Sequence, residues 1–537
     1  VKGLSFSGTY GYINGTTRQE SYNDIKSYNM RYELLQFTVA PSTSTSPVYY
    51  LPTTGGTFAT SNSTSRSWTV RNLLNYTNSW NASQHQLTLL AGQEVQEQRT
   101  LGNTSQVRGY NEQLQSYTML DYHTLSTVGV AGTVIPNYGV VSLLDENIFS
   151  QTETISRFRS YFANGAYTYD RKYSINGSFR IDKSNLFGVD KSAQNKPVWS
   201  VGVKWVLSNE GFLSGASWIN NLAFRTTYGL SGNAPSPGTS ASFDILSRYS
   251  SAYLPNGAGL YVSSPANRNL SWESTKTTNL GLDFSVLNNV VSGSLDVYNK
   301  ATSNLLGYMQ TNALTGYSSV TGNVGDLNNK GIELSLTTIN IKKGAFKWST
   351  MLNMSYNKNK LVNVTSAYNT TEGYLRIYQS YVKGYPAYSV FAYKYKGLDN
   401  MGDPQIQLKD GTITKSTADV EYKGTTQPKV SGGLTNIFNY GKWMLSANAV
   451  FNLGHVMRRE GNLLYTGDPT HSNFSGNFHS DFGKRWRKEG DENTTNVPSY
   501  VSDSYTSYSR RDVNYYTYGD VNVVSAAFVK LRDISLS

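Results

Sequence analysis

With 537 residues the chain exceeds an ordinary domain, so it holds either several domains or one very large architecture. It has no cysteine, which excludes a disulfide framework, thiol catalysis and Cys-ligated zinc. No stretch approaches the roughly 18 consecutive apolar residues of a membrane helix, although a β-barrel, whose strands show lipid only at every second residue, needs none. The formal charge of +11 is not gathered into a compact basic run. The densest, "GKRWRKEG" at 483–490, carries a glutamate. Nucleic acid is therefore not expected as a partner, and a surface facing anionic lipid or lipopolysaccharide accounts for the excess.

The chain opens at Val1 inside an alternating segment, "GLSFSGTYGYI". Tyr161, Ala163, Gly165, Tyr167 and Tyr169 then alternate with polar or small residues up to Asp170-Arg171-Lys172. Tyr173, Ile175, Gly177, Phe179 and Ile181 return on one face, with Ser174, Asn176, Ser178, Arg180 and Asp182 on the other. A period of two predicts a β-hairpin. In "NLGLDFSVLNNVVSGSLDVYN", 279–299, the candidate apolar face carries Leu280, Leu282, Phe284, Val286, Leu295 and Val297, and the opposite face Asp283, Ser285, Ser292, Ser294 and Asp296. Ile332, Leu334 and Leu336 run into "NIKKG", followed by Phe346, Trp348, Leu352, Met354 and Tyr356; Glu333 takes the polar parity. A last hairpin, 430–454, turns at Tyr440-Gly441-Lys442. The chain stops at Ser537 in "FVKLRDISLS", a strand with nothing following to pair it. Such an edge is a liability, so residues 1–537 are expected to be part of one β-barrel domain, an internal portion of a longer protein.

Two features favour a membrane barrel over a large soluble β-protein. The alternating segments run about ten residues, nearer the 9–11 of a tilted membrane strand than the 5–6 of soluble sheets. Short turns at 171–172, 287–290, 342–345 and 440–442 are separated by long polar stretches at 183–198, 231–271, 301–329 and 358–390. Outer-membrane barrels show this asymmetry, together with aromatic girdles, for which Tyr169, Tyr173, Tyr298, Tyr356, Tyr440 and Trp443 are candidates. Long antiparallel strands also build soluble extracellular glycan-binding proteins, so pattern alone leaves both architectures open.

No catalytic constellation emerges, so an enzyme is not expected, nor a cofactor. His85, His123, His455, His471 and His479 are scattered. His471 and His479 share a loop without metal-ligand spacing. "DNMGDPQIQLKDG", 399–411, places Asp399, Asp403 and Asp410 near glycines, but it lacks the spacing and closing glutamate of a calcium loop and reads as two turns. The tyrosine-dense 381–397 offers either stacking faces for a solute or strand packing.

The order of motifs adds a resemblance. "NRNLSWESTKTTNLGLDFSVLNNVVSGSLDVYNKATSNLL" and "TGNVGDLNNKGIELSL" are similar to the barrel of SusC/RagA-like TonB-dependent outer-membrane transporters of Bacteroidota. "FRIDKSNLFG", "WSVGVKWVLSNEGFL" and "INNLAFRTTYGLSGN" upstream, and "VKGYPAYSVFAYKYKGLD", "GTTQPKVSGGLTNIFNYGKWMLS", "RWRKEGDENTTNVP" and "AAFVKLRDISLS" downstream, keep that family's order over about 155–537. The turn Asp182-Lys183-Ser184-Asn185 departs from its pattern, so that turn is given no special role.

The resemblance implies an all-β, large antiparallel transmembrane barrel of the 22-strand class, here without its N-terminal plug and last strand or strands. It implies Leu280, Leu282, Phe284, Val286, Leu295 and Val297 facing lipid, and Asp283, Ser285, Ser292, Ser294, Asp296 and Glu333 facing the lumen. It further implies active import of oligosaccharides or oligopeptides, a SusD-like surface lipoprotein as lid, and energy delivered by TonB–ExbB–ExbD through the plug. The alternative within the same fold is a structural subunit of a larger outer-membrane secretion or biogenesis assembly.

Overall fold

The computed structural model describes residues 3–144, 148–188, 196–235, 243–250, 258–312, 314, 316–317, 319–365, 376–377, 381–414, 419–459, 479–501 and 511–537. Its dominant element is one antiparallel sheet of fourteen strands, each bonded to the next in chain order. They are β1 (Leu4–Asp24), β2 (Gly56–Trp80), β3 (His85–Tyr110), β4 (Phe149–Tyr169), β5 (Tyr173–Ser184), β6 (Pro197–Val206), β7 (Ile219–Asn233), β8 (Glu273–Val286), β9 (Val291–Gln310), β10 (Ser319–Lys343), β11 (Phe346–Val364), β12 (Val430–Tyr440), β13 (Trp443–Leu453) and β14 (Phe528–Leu536).

The connections alternate. At one end lie 81–84, 170–172, 207–218, 287–290, 344–345 and 441–442; at the other lie 25–55, 111–148, 185–196, 234–272, 311–318, 365–429 and 454–527. The tightest turns use left-handed backbone, at Asp170 and Arg171 (φ 51° and 54°) and at Leu287, Asn288 and Asn289 (φ 55°, 58° and 63°). This geometry matches the twist of hairpin strands, and asparagine and aspartate enter it at low cost.

Strand lengths depart from the expected ten residues. β12 and β13 have 11 each, but β2 has 25, β3 has 26, β9 has 20 and β10 has 25. The polar stretches 301–329 and 358–390, expected as loops, therefore begin or end as strand: β9 continues to Gln310, β10 starts at Ser319 and β11 continues to Val364. The reason is physical. Where both faces of a sheet are polar, alternation ceases although the hydrogen-bond ladder goes on. At about 3.3 Å per residue and a tilt near 40°, β12 and β13 span roughly 28 Å, enough for a bilayer core, whereas the longer strands project well beyond it.

The long connections carry their own cores. Phe37, Leu51, Leu125, Val130 and Leu144 pack together above the first strands, and Arg108 Nη2 donates to Glu33 Oε1 at 2.8 Å beside them. Phe391, Tyr393, Ile406, Val420 and Tyr515 form a second core, adjoined by Val497 and Tyr516. Burial pushes the Tyr515 hydroxyl up to about 12.

Candidate functional site: the two faces of the sheet

Residues directly opposite one another in an antiparallel ladder share a face, so the register sorts every strand. Phe224, Leu282, Leu295, Leu334 and Met354 form one row from β7 to β11, and Leu280, Val297, Ile332 and Tyr356 continue the next row on the same face. Phe284 opposes Gly293, and Val286 opposes Val291. The six apolar candidates of the 279–299 hairpin thus lie together. On the other face Asp283 opposes Ser294, Ser285 opposes Ser292 and Asp296 opposes Glu333. All six polar candidates lie there.

Burial distinguishes the faces further. Glu94, Ser156, Ser160, Asp182, Ser184 and Ala223 are buried, and the register carries every one of them on the polar face. Polar side chains crowded together while apolar ones stand exposed is the reverse of a soluble sheet.

The polar side chains are organised as charge clusters. Arg225 on β7 donates from Nε to Asp283 Oδ2 at 3.0 Å, from Nη2 to Asp283 Oδ1 at 2.9 Å, and from Nη2 to Asp296 Oδ2 at 3.1 Å. Asn279 Nδ2 donates to Asp296 Oδ1 at 2.8 Å, and Lys204 Nζ stands 3.7 Å from Asp283 Oδ2. The forked guanidinium compensates two aspartates that would otherwise repel each other and Glu333. A cavity of about 380 Å³ lies beside them, lined by Asp296, Glu333, Ser294, Asn353 and Ser355.

A second cluster joins Arg71 to Glu94, Glu94 to Arg180 at 3.7 Å, and Arg180 Nε to Asp182 Oδ1 at 2.7 Å, with Arg180 Nη2 donating to Ser160 Oγ at 2.8 Å. Arg180 also lies over an aromatic face, its Cζ 5.4 Å from the centre of the Phe162 ring. A cavity of about 550 Å³ adjoins this cluster.

Gly281 is the position that lets the Arg225 fork close. A Cβ there would stand 2.7 Å from Asp296 Oδ1 and 2.8 Å from the Arg225 guanidinium. Gly281→Val is expected to part Arg225 from Asp296 and destabilise the barrel by about 1–3 kcal/mol. The check is the midpoint of heat-modifiable gel migration of the full-length protein, with Gly177→Val as comparison. The Cβ of that position meets nothing nearer than 3.6 Å.

Aromatic rings mark the short-turn end of the apolar face. Trp80 stacks on His85 at 5.1 Å, His85 adjoins Tyr169 at 5.1 Å, and Tyr173 stacks on Trp205 at 6.4 Å. Tyr440 and Trp443 oppose each other at the turn of the last hairpin. Tyr298 departs from its expected place in a girdle. It opposes Asn279 and Gly331 on the polar face, where its hydroxyl donates to Asn357 Oδ1 at 3.2 Å. Its even parity, shared with Ser294 and Asp296 on the same strand, is what sets that face.

The remaining candidates separate. Asp399 Oδ1 accepts from the amides of Met401 and Asp403, Asp410 Oδ1 accepts from the Thr412 amide, and Asp403 is fully buried against Arg511. The three carboxylates serve different local structures, as two turns would have them. His471 lies outside the described residues. Within 381–397, Phe391 and Tyr393 are core residues, whereas Tyr381 and Tyr388 remain half exposed with ring centres 5.5 Å apart. The hydrogen bond to Tyr388, with burial, pushes the Tyr381 hydroxyl up to about 12.

A meander of long, aromatic-bordered strands with one apolar and one charge-paired face defines an outer-membrane-type β-barrel. The chain belongs to the TonB-dependent receptor family: the profile described as "TonB dependent receptor-like, beta-barrel" matches residues 2–528. It is 25% identical over 521 residues to TonB-dependent receptor P39 of Formosa agariphila, covering 87% of this chain and 46% of that protein. It is 28% identical over 296 residues to TonB-dependent receptor SusC of Bacteroides thetaiotaomicron, covering 50% of this chain and 29% of that one. The chain thus spans less than half the length of these curated relatives. Among solved structures, that of the RagAB peptide transporter superposes over 100% of this chain and 53% of its own, with TM-score 0.75 and 20% identity, which shows the fold.

Proposed function

We propose that this chain is the barrel portion of a TonB-energised outer-membrane importer of oligosaccharides or oligopeptides. The observation that carries the reading is the segregation of the sheet into an exposed apolar face and a crowded, ion-paired polar face, with the longest connections gathered at one end. Asp283, Ser285, Ser292, Ser294, Asp296 and Glu333 then line the lumen, toward plug or solute. Leu280, Leu282, Phe284, Val286, Leu295 and Val297 face lipid. The long connections, with their own cores, stand outside the cell, where they meet a SusD-like surface lipoprotein acting as lid. Energy reaches the plug from TonB–ExbB–ExbD. The relatives named SusC and RagAB support this reading.

Extraction of the native full-length protein in mild detergent, followed by mass spectrometry of what co-purifies, tests it. A stoichiometric SusD-like lipoprotein is the expected partner. Stable association with secretion or biogenesis components, and no such lipoprotein, would replace the importer with a structural subunit of the same fold. Solubility of the full-length protein without detergent would overturn the membrane reading altogether.

A further inference from the structure

The apolar face ends in like-charged cross-strand pairs. Arg66 on β2 stands directly opposite Arg99 on β3. Arg159 on β4 stands opposite Lys183 on β5, and Lys330 on β10 opposite Lys358 on β11. All six are exposed. The register places each on the face that carries Leu89, Tyr161, Ile332 and Tyr356. Like charges directly opposite destabilise a sheet, and this arrangement recurs on three separated strand pairs. Acidic neighbours offset part of the charge: Arg99 Nε meets Glu153 Oε1, and Arg157 Nε meets Glu97 Oε2, both at 2.5 Å. Among the described residues no carboxylate forms an ion pair with Arg66, Arg159, Lys183, Lys330 or Lys358.

Their height is specific. From Tyr169 to Arg159 on β4, and from Trp348 to Lys358 on β11, the chain advances ten residues. That is about 33 Å of strand, or roughly 25 Å along the axis at a 40° tilt. An outer-membrane barrel's apolar band is about that tall. The Arg159–Lys183 and Lys330–Lys358 pairs therefore lie just past the band, on the side of the long connections, whereas Arg66 and Arg99, fourteen residues from Trp80 and His85, stand farther out.

We infer that the Arg159–Lys183 and Lys330–Lys358 pairs form a belt that binds the phosphate groups of a phosphorylated glycolipid in the outer leaflet. A phosphate between two cations removes their repulsion and supplies acceptors for both. The inference rests on the reading that the apolar face meets lipid, and it adds the ligand of that face's outer margin.

The test uses the full-length protein in nanodiscs made with phosphorylated lipid A, with dephosphorylated lipid A, or with phospholipid alone. Wild type is expected to retain phosphorylated lipid A preferentially, by native mass spectrometry and phosphate assay. Lys330→Gln/Lys358→Gln and Arg159→Gln/Lys183→Gln should each weaken retention by about thirtyfold, while in plain detergent they are no less heat-stable than wild type. Undiminished retention in both variants, or equal retention of dephosphorylated lipid A, overturns the belt. Nitroxide labels at Leu282→Cys and Ser294→Cys separate the two readings. Oxygen access at 282 and aqueous-chelate access at 294, with unchanged lipid A retention, sinks the belt alone. The reverse access pattern sinks the orientation.

Discussion

Arginine at Leu282, Phe284 or Leu295 is expected to impair barrel assembly far more than arginine at Ser285 or Ser294. Leu295 and Ser294 are neighbours on β9, so they lie at nearly the same depth and differ in face. Leu295 stands in the apolar row between Leu282 and Leu334, and Ser294 between Asp283 and Ser335. A charge on the lipid face near the midplane costs roughly 2–4 kcal/mol, because the guanidinium must be desolvated or must drag water and headgroups inward. At Ser294 the same guanidinium enters a polar face beside the about 380 Å³ cavity, with Asp296 and Glu333 at hand. Heat-modifiable gel migration of membranes expressing each variant measures the folded fraction. Similar folded fractions for the 294 and 295 substitutions would sink the assignment of faces.

What was legible in the sequence is what alternation encodes. The hairpin 279–299 shows its register because both strands present contrasting faces and Asn288-Asn289 turns them in left-handed backbone. Two kinds of information left no periodic trace. The first is strand length beyond the apolar band. Past Tyr298 the residues Ala301, Thr302 and Ser303 remain in the ladder, yet polarity no longer alternates. The second is pairing across strands. Arg225 belongs to a motif stretch, but that it bridges Asp283 and Asp296 depends on the β7–β8–β9 register. Arg71, Glu94 and Arg180 were missed as a cluster for the same reason, although Arg180 and Asp182 already shared the polar parity of their hairpin. The like-charged pairs at the margin were equally hidden, since Lys330 and Lys358 become neighbours only through the β10–β11 pairing.

The long connections hold the other large effect, at Asp403 and Arg511. Both side chains are 0% exposed, and Arg511 Nη1 lies 3.6 Å from Asp403 Oδ1. Arg511 Nη1 also donates to the Ser499 carbonyl at 2.7 Å and to its hydroxyl at 2.9 Å. The Ser499 amide in turn donates to the Gly402 carbonyl at 2.9 Å. Three distant segments are thereby locked around one ion pair. Gly402 has φ 75°, and a Cβ there would meet the Trp486 ring at 2.5 Å, so the turn admits little else. Removing one partner takes a counter-charge from a fully buried group, and Asp403→Ala or Arg511→Met is expected to cost about 3–5 kcal/mol of this unit's stability. Removing both, in Asp403→Leu/Arg511→Met, should cost clearly less than the sum, with a coupling energy of about 2 kcal/mol or more. Hydrogen exchange of 389–408 and 514–525 in the full-length protein measures this, while protection of β12 and β13 should stay unchanged because the barrel strands are bonded independently. Additive losses would mean that the pair is two separate anchors. Loss of protection spreading into β12 would mean that these connections and the barrel fold as one unit.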